Sequence, residues 1–302
     1  MSFPLDGAPE DLRKLMADIG PRWAQDHRRH VELTLDAYAS LLARVSNDGV
    51  EVARDIAYGE HSRQVLDVFR PRSAARAPVV AFVHGGAYVR GARRVRPEIY
   101  DNVLYYFARQ GLVGVNVEYR LAPEATFPDG ARDVAQAVGW IEREIAAYGG
   151  DPQRIFLFGS SAGGSHVATF AFDRTAIAAR PASVAGIILA SARLRADVRP
   201  DNPNADAVRA YMGADASLYD SRSPVTHASD VELPVFIAIA EYENPYLDVY
   251  GAELLHKLSL VRRRAPRFLR LTRHNHISLI AHFNTGEEIL GREILDFIAR
   301  GR

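Results

Sequence analysis

The spacing of hydrophobic residues changes near residue 49. Over residues 9–45, apolar positions recur every three or four residues, which predicts amphipathic helices interrupted at Gly20-Pro21. Over residues 50–58 and 64–69, apolar and polar residues alternate, which predicts an exposed antiparallel pair of strands. The chain is therefore expected to begin with helices and to continue into a β-rich region.

The rest of the chain alternates short, continuous apolar runs with helical segments. Such runs are typical of strands buried on both faces of a sheet. The predicted strands are 79–83, 112–117, 155–158, 184–190, 235–240 and 268–271, and the predicted helices include 99–110, 130–148, 166–172 and 251–261. This alternation predicts an α/β fold with a mostly parallel sheet covered by helices on both faces.

Residues 191–230 depart from this alternation. They are rich in Asp, Pro, Arg and Ser around one short predicted helix, 205–212, and we interpret them as an insertion. We predict an N-terminal helical cap segment over residues 1–48 and one α/β domain over residues 49–302. Together, the cap segment and the insertion are expected to roof a pocket.

Composition narrows the range of functions. The 302 residues are 48% hydrophobic, and 37 basic residues balance 37 acidic ones, so no charge excess favours nucleic acid or an anionic membrane. The absence of cysteine excludes disulfides, thiolate metal sites and cysteine nucleophiles. No apolar run approaches the roughly 20 residues of a membrane helix, and the N-terminus lacks the pattern of a secretory signal. We therefore expect a cytoplasmic protein.

A candidate nucleophile lies between a predicted strand and a predicted helix. Residues 159–163 read G-S-S-A-G, the G-x-S-x-G pattern of a sharp strand-to-helix turn that exposes a serine hydroxyl. The turn requires small residues two positions before and after the serine, and Gly159 and Gly163 meet this condition for Ser161. Ser160 would instead need a small residue at Phe158. Ser161 is therefore the predicted nucleophile.

A glycine loop precedes this turn in the sequence. Residues 84–88 read H-G-G-A-Y and directly follow a predicted buried strand. The tetrahedral intermediate of acyl transfer requires two or three converging N–H groups, and adjacent glycines leave such groups unshielded. We predict that the N–H groups of Gly85, Gly86 and Ala162 form this oxyanion hole. His84 is expected to brace the loop rather than react.

Candidates for an acid and a base follow the last two predicted strands. The carboxylates are Glu241, Glu243 and Asp248, and the histidines are His274 and His276. Serine, acid and histidine then occur in the order that this strand-turn-helix nucleophile requires. We expect His276 to accept the Ser161 proton, with His274 as the rival base, whereas spacing alone does not separate the three carboxylates. The H-x-H pair lacks further ligands at convincing spacing, so neither a metal nor a cofactor is predicted.

From about residue 50 to the C-terminus, the chain resembles the hormone-sensitive-lipase-like esterases of the α/β-hydrolase superfamily. The matching segments are HGGAY (84–88), YRLAPE (119–124), FPDGARDVAQAVGWI (127–141), YGGDPQRIFLFGSSAGG (148–164), EYENP and HNHIS. The resemblance implies an α/β-hydrolase fold with an eight-stranded, mostly parallel sheet, helices on both faces and a small helical cap. It also implies that residues 49–302 form the catalytic domain, with Glu243 as the acid and His276 as the base.

The resemblance further implies a serine carboxylesterase acting on small to medium esters. The charge-neutral cap, which contains aromatic residues, favours apolar or aromatic esters, and we expect Tyr88 and Tyr242 to line the pocket. An amidase or arylformamidase with the same triad is the alternative, and a catalytically inactive ligand receptor is a third reading. The expected partner is a small-molecule ester rather than nucleic acid or a membrane. The sequence does not fix the oligomeric state, which leaves a homodimer open.

Overall fold

A computed structural model of the protein describes residues 5, 7–178, 180–228 and 232–300. Residues 1–4 and 6 of the predicted cap segment therefore lie outside the described residues. The same holds for residues 229 and 230 of the predicted insertion, and for residues 179, 231, 301 and 302 of the predicted α/β domain.

An eight-stranded sheet forms the centre of the molecule, in the order β1-β2-β4-β3-β5-β6-β7-β8. The strands are β1 (Val50–Ala57), β2 (Val65–Pro71), β3 (Ala77–Val83), β4 (Val113–Val117), β5 (Gly150–Ser160), β6 (Val184–Ala190), β7 (Val235–Tyr242) and β8 (Arg267–Asn275). β2 runs antiparallel to both β1 and β4, whereas all other neighbouring pairs are parallel. The predicted mostly parallel, eight-stranded sheet is confirmed.

Nine α-helices occur in the described part of the chain. They are α1 (Glu10–Ile19), α2 (His27–Leu42), α3 (Asp101–Arg109), α4 (Asp129–Glu144), α5 (Ala162–Phe172), α6 (Ala205–Met212), α7 (Leu247–Arg262), α8 (Ser278–Ala281) and α9 (Ile289–Arg300). The sequence interpretation omitted α8 and α9. For α9 the signal is present, because Leu290, Ile294 and Phe297 recur at helical spacing and are fully buried.

The sheet separates two hydrophobic cores because successive side chains of a strand point to opposite faces. On β3, Val79, Ala81 and Val83 join one core, whereas Val80 and Phe82 join the other. Residues of α4, α5 and α7 pack in the first core, and residues of α3 and α9 pack in the second. Helices therefore cover both faces, and the continuous apolar run of β3 reflects its burial on both sides.

The expectation that both N-terminal strands are exposed is wrong for β2. This strand is hydrogen-bonded on both sides, by β1 and β4, and its residue Asp67 is completely buried. Asp67 accepts the N–H of Asp55 at 2.8 Å and forms ion pairs with Arg54 at 2.9 Å and Arg93 at 3.0 Å. Burial alone would raise the Asp67 pKa, but the Asp55 hydrogen bond and the two arginines hold it below the usual value. Asp67, the polar residue of this alternating pattern, thus forms internal ion pairs and does not face solvent.

The N-terminal helices and the insertion pack beside the loops that follow the central strands. Leu12, Met16 and Leu35 of α1 and α2 share a hydrophobic cluster with Ile99 and with Ala281 of α8. In the insertion, α6 contributes Val208, Tyr211 and Met212 to a second cluster that contains Tyr88 and Ala162. Both segments therefore contact elements that adjoin the predicted nucleophile loop. None of the described helices combines the length and apolar character that a membrane crossing requires.

Candidate active site

Ser161 occupies a sharp turn between β5 and α5. Its φ of 54° and ψ of −118° lie in a region that residues with a side chain rarely adopt. A Cβ atom on Gly163 would lie 2.2 Å from the carbonyl oxygen of Val83, and one on Gly159 would lie 2.6 Å from the Cα of Gly164. Both positions thus require glycine because the backbones approach closely. These contacts agree with the steric argument made from the sequence.

The structure brings three of the predicted site residues into one hydrogen-bonded chain. His276 Nε2 lies 3.1 Å from Ser161 Oγ, and His276 Nδ1 lies 2.8 Å from Glu243 Oε2. An ionised carboxylate only accepts hydrogen bonds, so the proton of the neutral imidazole belongs on Nδ1. The lone pair of Nε2 then faces the serine hydroxyl. This arrangement can remove the Ser161 proton.

The Glu243 carboxylate is held by two further donors. Its Oε1 accepts the backbone N–H of Ala240 at 2.8 Å and the hydroxyl of Ser191. These bonds leave Oε2 directed at His276. Sequence reasoning missed Ser191, although a polar residue immediately after the predicted strand 184–190 was an available signal, since ligand sites of parallel α/β sheets lie at the carboxyl ends of strands.

The rival base His274 points elsewhere. It is completely buried, and its ring contacts Ser278 Oγ at 3.0 Å and Glu287 Oε1 at 2.9 Å. In an extended segment, His274 and His276 would point to the same side because they are two residues apart. Instead, β8 ends at Asn275, whose Oδ1 accepts the N–H groups of Ile277 and Ser278, so the chain turns there and the strand alternation does not extend to His276.

The rival carboxylates also have other partners. Glu241 accepts the N–H of Arg273 at 2.6 Å. Asp248 is exposed in the first turn of α7 and accepts the N–H of Val249 at 2.9 Å. Of the three candidates, Glu243 is the one with a hydrogen bond to His276. The tertiary structure thus separates residues that spacing alone did not.

The glycine loop lies directly over the serine. A Cβ on Gly85 would lie 3.1 Å from the Cβ of Ser161, and Gly86 has a φ of 140° in close contact with the carbonyl of Arg90. Within the described residues, no protein acceptor is hydrogen-bonded to the N–H of Gly85 or of Gly86. Ala162 is the first residue of α5, where backbone N–H groups lack partners within the helix. These three N–H groups are available to a ligand.

His84 holds this loop from behind. It is completely buried, and its ring contacts the Gly85 carbonyl oxygen at 2.6 Å and Glu118 Oε1 at 2.9 Å. Glu118 also accepts the backbone N–H of Arg93 at 2.9 Å. Burial raises the pKa of Glu118, but the contacts with His84 and the nearby arginines bring it below its ordinary value. His84 thus braces the loop.

A cavity of about 240 Å³ opens beside Ser161 and His276. Its apolar lining comes from α2, from the segment before α3 and from the region of α8, and comprises Val31, Leu35, Val95, Ile99, Tyr100, Ile277 and Ile280. Besides Ser161 and His276, its polar side chains include Arg90, His27, Asn204 and Asn244. The N-terminal helices and the insertion thus both contribute to the pocket.

The two tyrosines predicted to line the pocket do not line this cavity. Tyr88 is 1% exposed, and its ring stacks on that of Tyr211 with centroids 4.5 Å apart. Ala87 and Tyr88 both have positive φ, and this tight turn places the ring against the insertion rather than over the serine. Tyr242 packs closely against Gly20. The pocket role expected for both residues is therefore corrected.

Comparison with known families and proteins gives partial matches along the sequence. The family described as BD-FAE matches residues 66–177. Esterase LipC of Mycobacterium tuberculosis is 38% identical over 113 residues, covering 37% of this chain and 27% of LipC. A probable isoprenylcysteine alpha-carbonyl methylesterase, ICMEL1 of Oryza sativa subsp. japonica, is 37% identical over 119 residues. The match covers 39% of this chain and 27% of ICMEL1. The chain therefore spans little more than a quarter of the length of these curated relatives.

Solved structures match over nearly the whole chain. The structure described as bacterial heroin esterase is 25% identical, with a TM-score of 0.71 and coverage of 92% of both chains. A hyperthermophilic esterase from the archaeon Pyrobaculum calidifontis is 22% identical, with a TM-score of 0.71 and coverage of 97% of both chains. The chain has the α/β-hydrolase fold, and the predicted relationship to esterases of this fold is confirmed.

Proposed function

We propose that the protein is a serine carboxylesterase in which Ser161 is the nucleophile, His276 the general base and Glu243 the orienting carboxylate. The observation that carries this proposal is the continuous contact from Ser161 Oγ through the His276 ring to Glu243, at 3.1 and 2.8 Å, beside an open cavity. Similarity to proteins described as esterases supports the ester as the substrate.

In the acylation step, Ser161 Oγ attacks the ester carbonyl carbon while His276 Nε2 accepts the hydroxyl proton. The Nδ1–H donates to Glu243, which keeps the ring in the tautomer with a free Nε2 lone pair and stabilises the imidazolium. The tetrahedral oxyanion receives hydrogen bonds from the N–H groups of Gly85, Gly86 and Ala162. The imidazolium then gives its proton to the departing alcohol, and the acyl-serine ester remains.

Deacylation repeats these steps with water. His276 removes a proton from the water, the hydroxide oxygen attacks the acyl carbon, and the same three N–H groups stabilise the second oxyanion. The proton returns to Ser161 Oγ as the acid is released. Each oxyanion-hole donor of this kind is typically worth about 3 kcal/mol of barrier.

The cavity supports esters with a small to medium apolar portion. Its volume of about 240 Å³ and its lining by residues such as Leu35, Ile99 and Ile280 favour short hydrocarbon chains or one aromatic ring. The cavity lies between the catalytic loop and the N-terminal helices, which makes the cap segment part of the substrate pocket.

Covalent labelling tests this proposal. The protein should react with a fluorophosphonate and hydrolyse para-nitrophenyl butyrate, and Ser161→Ala should remove the label and lower kcat by on the order of 10⁴-fold or more. Ser160→Ala, which changes the neighbouring serine, should still become labelled. A label that persists in Ser161→Ala would refute the assigned nucleophile. Faster turnover of a matched anilide than of the ester would favour an amidase, and a wild-type protein that neither labels nor hydrolyses would fit an inactive receptor.

A further inference from the structure

Arg90 is a cation in the lining of the cavity. Its side chain is exposed, and one guanidinium N–H donates to Asn204 Oδ1 at 2.7 Å. No acidic side chain in the described part of the chain forms an ion pair with it. A guanidinium has five N–H donors in a planar fork, so most of its hydrogen-bonding capacity faces the cavity and solvent.

The neighbouring arginines differ from Arg90 in this respect. Arg93 forms an ion pair with Asp67 at 3.0 Å, Arg94 contacts Asp55 at 3.4 Å, and Arg96 contacts Glu32 at 2.6 Å. Of the described residues that line the cavity, Glu32 alone is acidic, and it pairs with Arg96, which also contacts Asp36 at 3.2 Å. Among the described residues, the cavity-lining Arg90 thus carries a positive charge with no carboxylate paired to it.

The charge at this position belongs to Arg90 rather than to the adjacent histidine. His27 Nε2 lies 2.7 Å from Asn244 Oδ1, which also accepts the Trp23 indole N–H at 2.9 Å. Burial lowers the pKa of His27, and interactions with the nearby His276 and Arg90 lower it further, so His27 is neutral near pH 7. Arg90 thus supplies the fixed charge on the polar side of the cavity.

The cavity lining contains an apolar set and a polar set of side chains, which fit two parts of one substrate. Val31, Leu35 and Ile277 offer an apolar surface, whereas Arg90 and Asn204 offer charged and polar groups. We propose that the substrate is an ester carrying a carboxylate group, which pairs with the Arg90 guanidinium while its hydrocarbon portion contacts the apolar side. Arginine is suited to this role because its planar fork matches a carboxylate. This inference rests on the proposed esterase function and adds a substrate class to it.

Two pairs of matched esters test the inference and show which part of the ester carries the charge. In the first pair, the charge is on the acyl group: the mono-para-nitrophenyl ester of glutaric acid is compared with the ester whose free carboxylate is replaced by a carboxamide. In the second pair, the charge is on the alcohol: para-butyryloxybenzoate is compared with para-butyryloxybenzamide. The measured quantity is the ratio of kcat/KM for the anionic ester to kcat/KM for its neutral partner.

In Arg90→Gln, the ratio should fall about fivefold for one of the two pairs. A fall of this size is what the loss of a partly exposed ion pair would produce. Arg90→Lys should retain part of the preference, and salt at about 1 M should reduce the wild-type ratio by screening the charge. Arg94→Gln is the matched control, since Arg94 is exposed on the same loop but does not line the cavity, and its ratio should equal that of the wild type.

Unchanged ratios for both pairs in Arg90→Gln, with the wild type hydrolysing the neutral esters, would overturn this inference and leave the esterase proposal standing. Hydrolysis of none of the four esters by the wild type would instead overturn the esterase proposal and this inference together. An equal fall of the ratio in Arg94→Gln would assign the effect to the general field of the loop rather than to Arg90, and would also overturn the inference.

Discussion

Two Ser-His-Glu groups with similar distances lie near the end of β8. In the first, which we call the cavity group, His276 contacts Ser161 at 3.1 Å and Glu243 at 2.8 Å. In the second, the core group, His274 contacts Ser278 at 3.0 Å and Glu287 at 2.9 Å. The residue types are the same and the interatomic distances are nearly the same in both groups. Distances alone therefore do not distinguish a catalytic arrangement from a structural one.

The two groups differ in access and in the bonding of the serine. Ser161 lies in a strained turn beside the cavity, whereas Ser278 is completely buried at the start of α8. Ser278 Oγ accepts the backbone N–H of Asn275 at 2.9 Å and so serves the local turn. No oxyanion donors of the kind formed by Gly85 and Gly86 are described beside it. The comparison shows that the chemistry depends on the surroundings of the triad as much as on its members.

Replacing each histidine in turn tests this difference most strongly. His276→Ala should lower kcat by on the order of 10⁴-fold or more, because the serine loses its base. His274→Ala should change kcat by only a few-fold, but it leaves the buried Glu287 unpaired and should destabilise the fold by about 3 kcal/mol or more. Activity on para-nitrophenyl butyrate, expressed per folded molecule, measures the first effect, and urea unfolding measures the second. The opposite pattern of kcat values would reverse the two assignments.

Replacing each glutamate in turn should also distinguish the two groups, with a smaller effect on kcat than replacing the histidines. Glu243→Gln is expected to reduce kcat by about 10³- to 10⁴-fold, because an amide no longer fixes the imidazole tautomer or stabilises the imidazolium. Glu287→Gln should mainly lower the free energy of unfolding. Glu241→Gln, which alters a carboxylate bonded to the backbone of Arg273, is the control for surface charge. Small and equal losses of kcat in all three variants would contradict the role of Glu243.

A histidine packed against the core group should make the fold sensitive to acid. The ring of His282 packs at a tilt against that of His274 with centroids 4.9 Å apart, and burial, reinforced by the neighbouring His274, lowers the pKa of His282 to about 4. The unfolded state binds a proton near its ordinary pKa of about 6.5. The stability that neutral His282 contributes is therefore complete above about pH 6.5. It is lost as the pH falls toward 4, by about 1.4 kcal/mol per pH unit.

Urea unfolding of His282→Asn at several pH values between 4 and 6.5 measures this effect. The variant should show a shallower dependence of the unfolding free energy on pH, reduced by about 1.4 kcal/mol per unit. His166 provides the comparison, because burial lowers its pKa to about 3 and it should contribute a similar slope outside the core group. An unchanged slope in His282→Asn would show that this histidine does not titrate as the structure indicates.

Much of the fold and part of the candidate site could be predicted from local patterns. Continuous apolar runs identified the buried parallel strands, and the bounds predicted for α6, 205–212, agree with Ala205–Met212. The turn at Ser161 could be predicted because a turn that exposes a serine requires small residues two positions before and after it, and Gly159 and Gly163 occupy these positions. The exposure of β2 was predicted wrongly, because a buried ion pair at Asp67 gives the same alternating pattern as a solvent-facing residue.

The sequence by itself determined the order of the elements, the nucleophile turn and the glycine loop, because each depends on steric limits within a few neighbouring residues. The local pattern did not decide between His276 and His274 or among Glu243, Glu241 and Asp248. The family resemblance favoured His276 and Glu243, and only the tertiary structure supplied a geometric reason for that choice. Because β8 ends at Asn275 and the chain turns there, His276 lies at the cavity whereas His274 lies in the core. The contacts of His276 join residues 33 and 115 positions apart, and their geometry depends on how β5, β7 and β8 are arranged in the folded sheet.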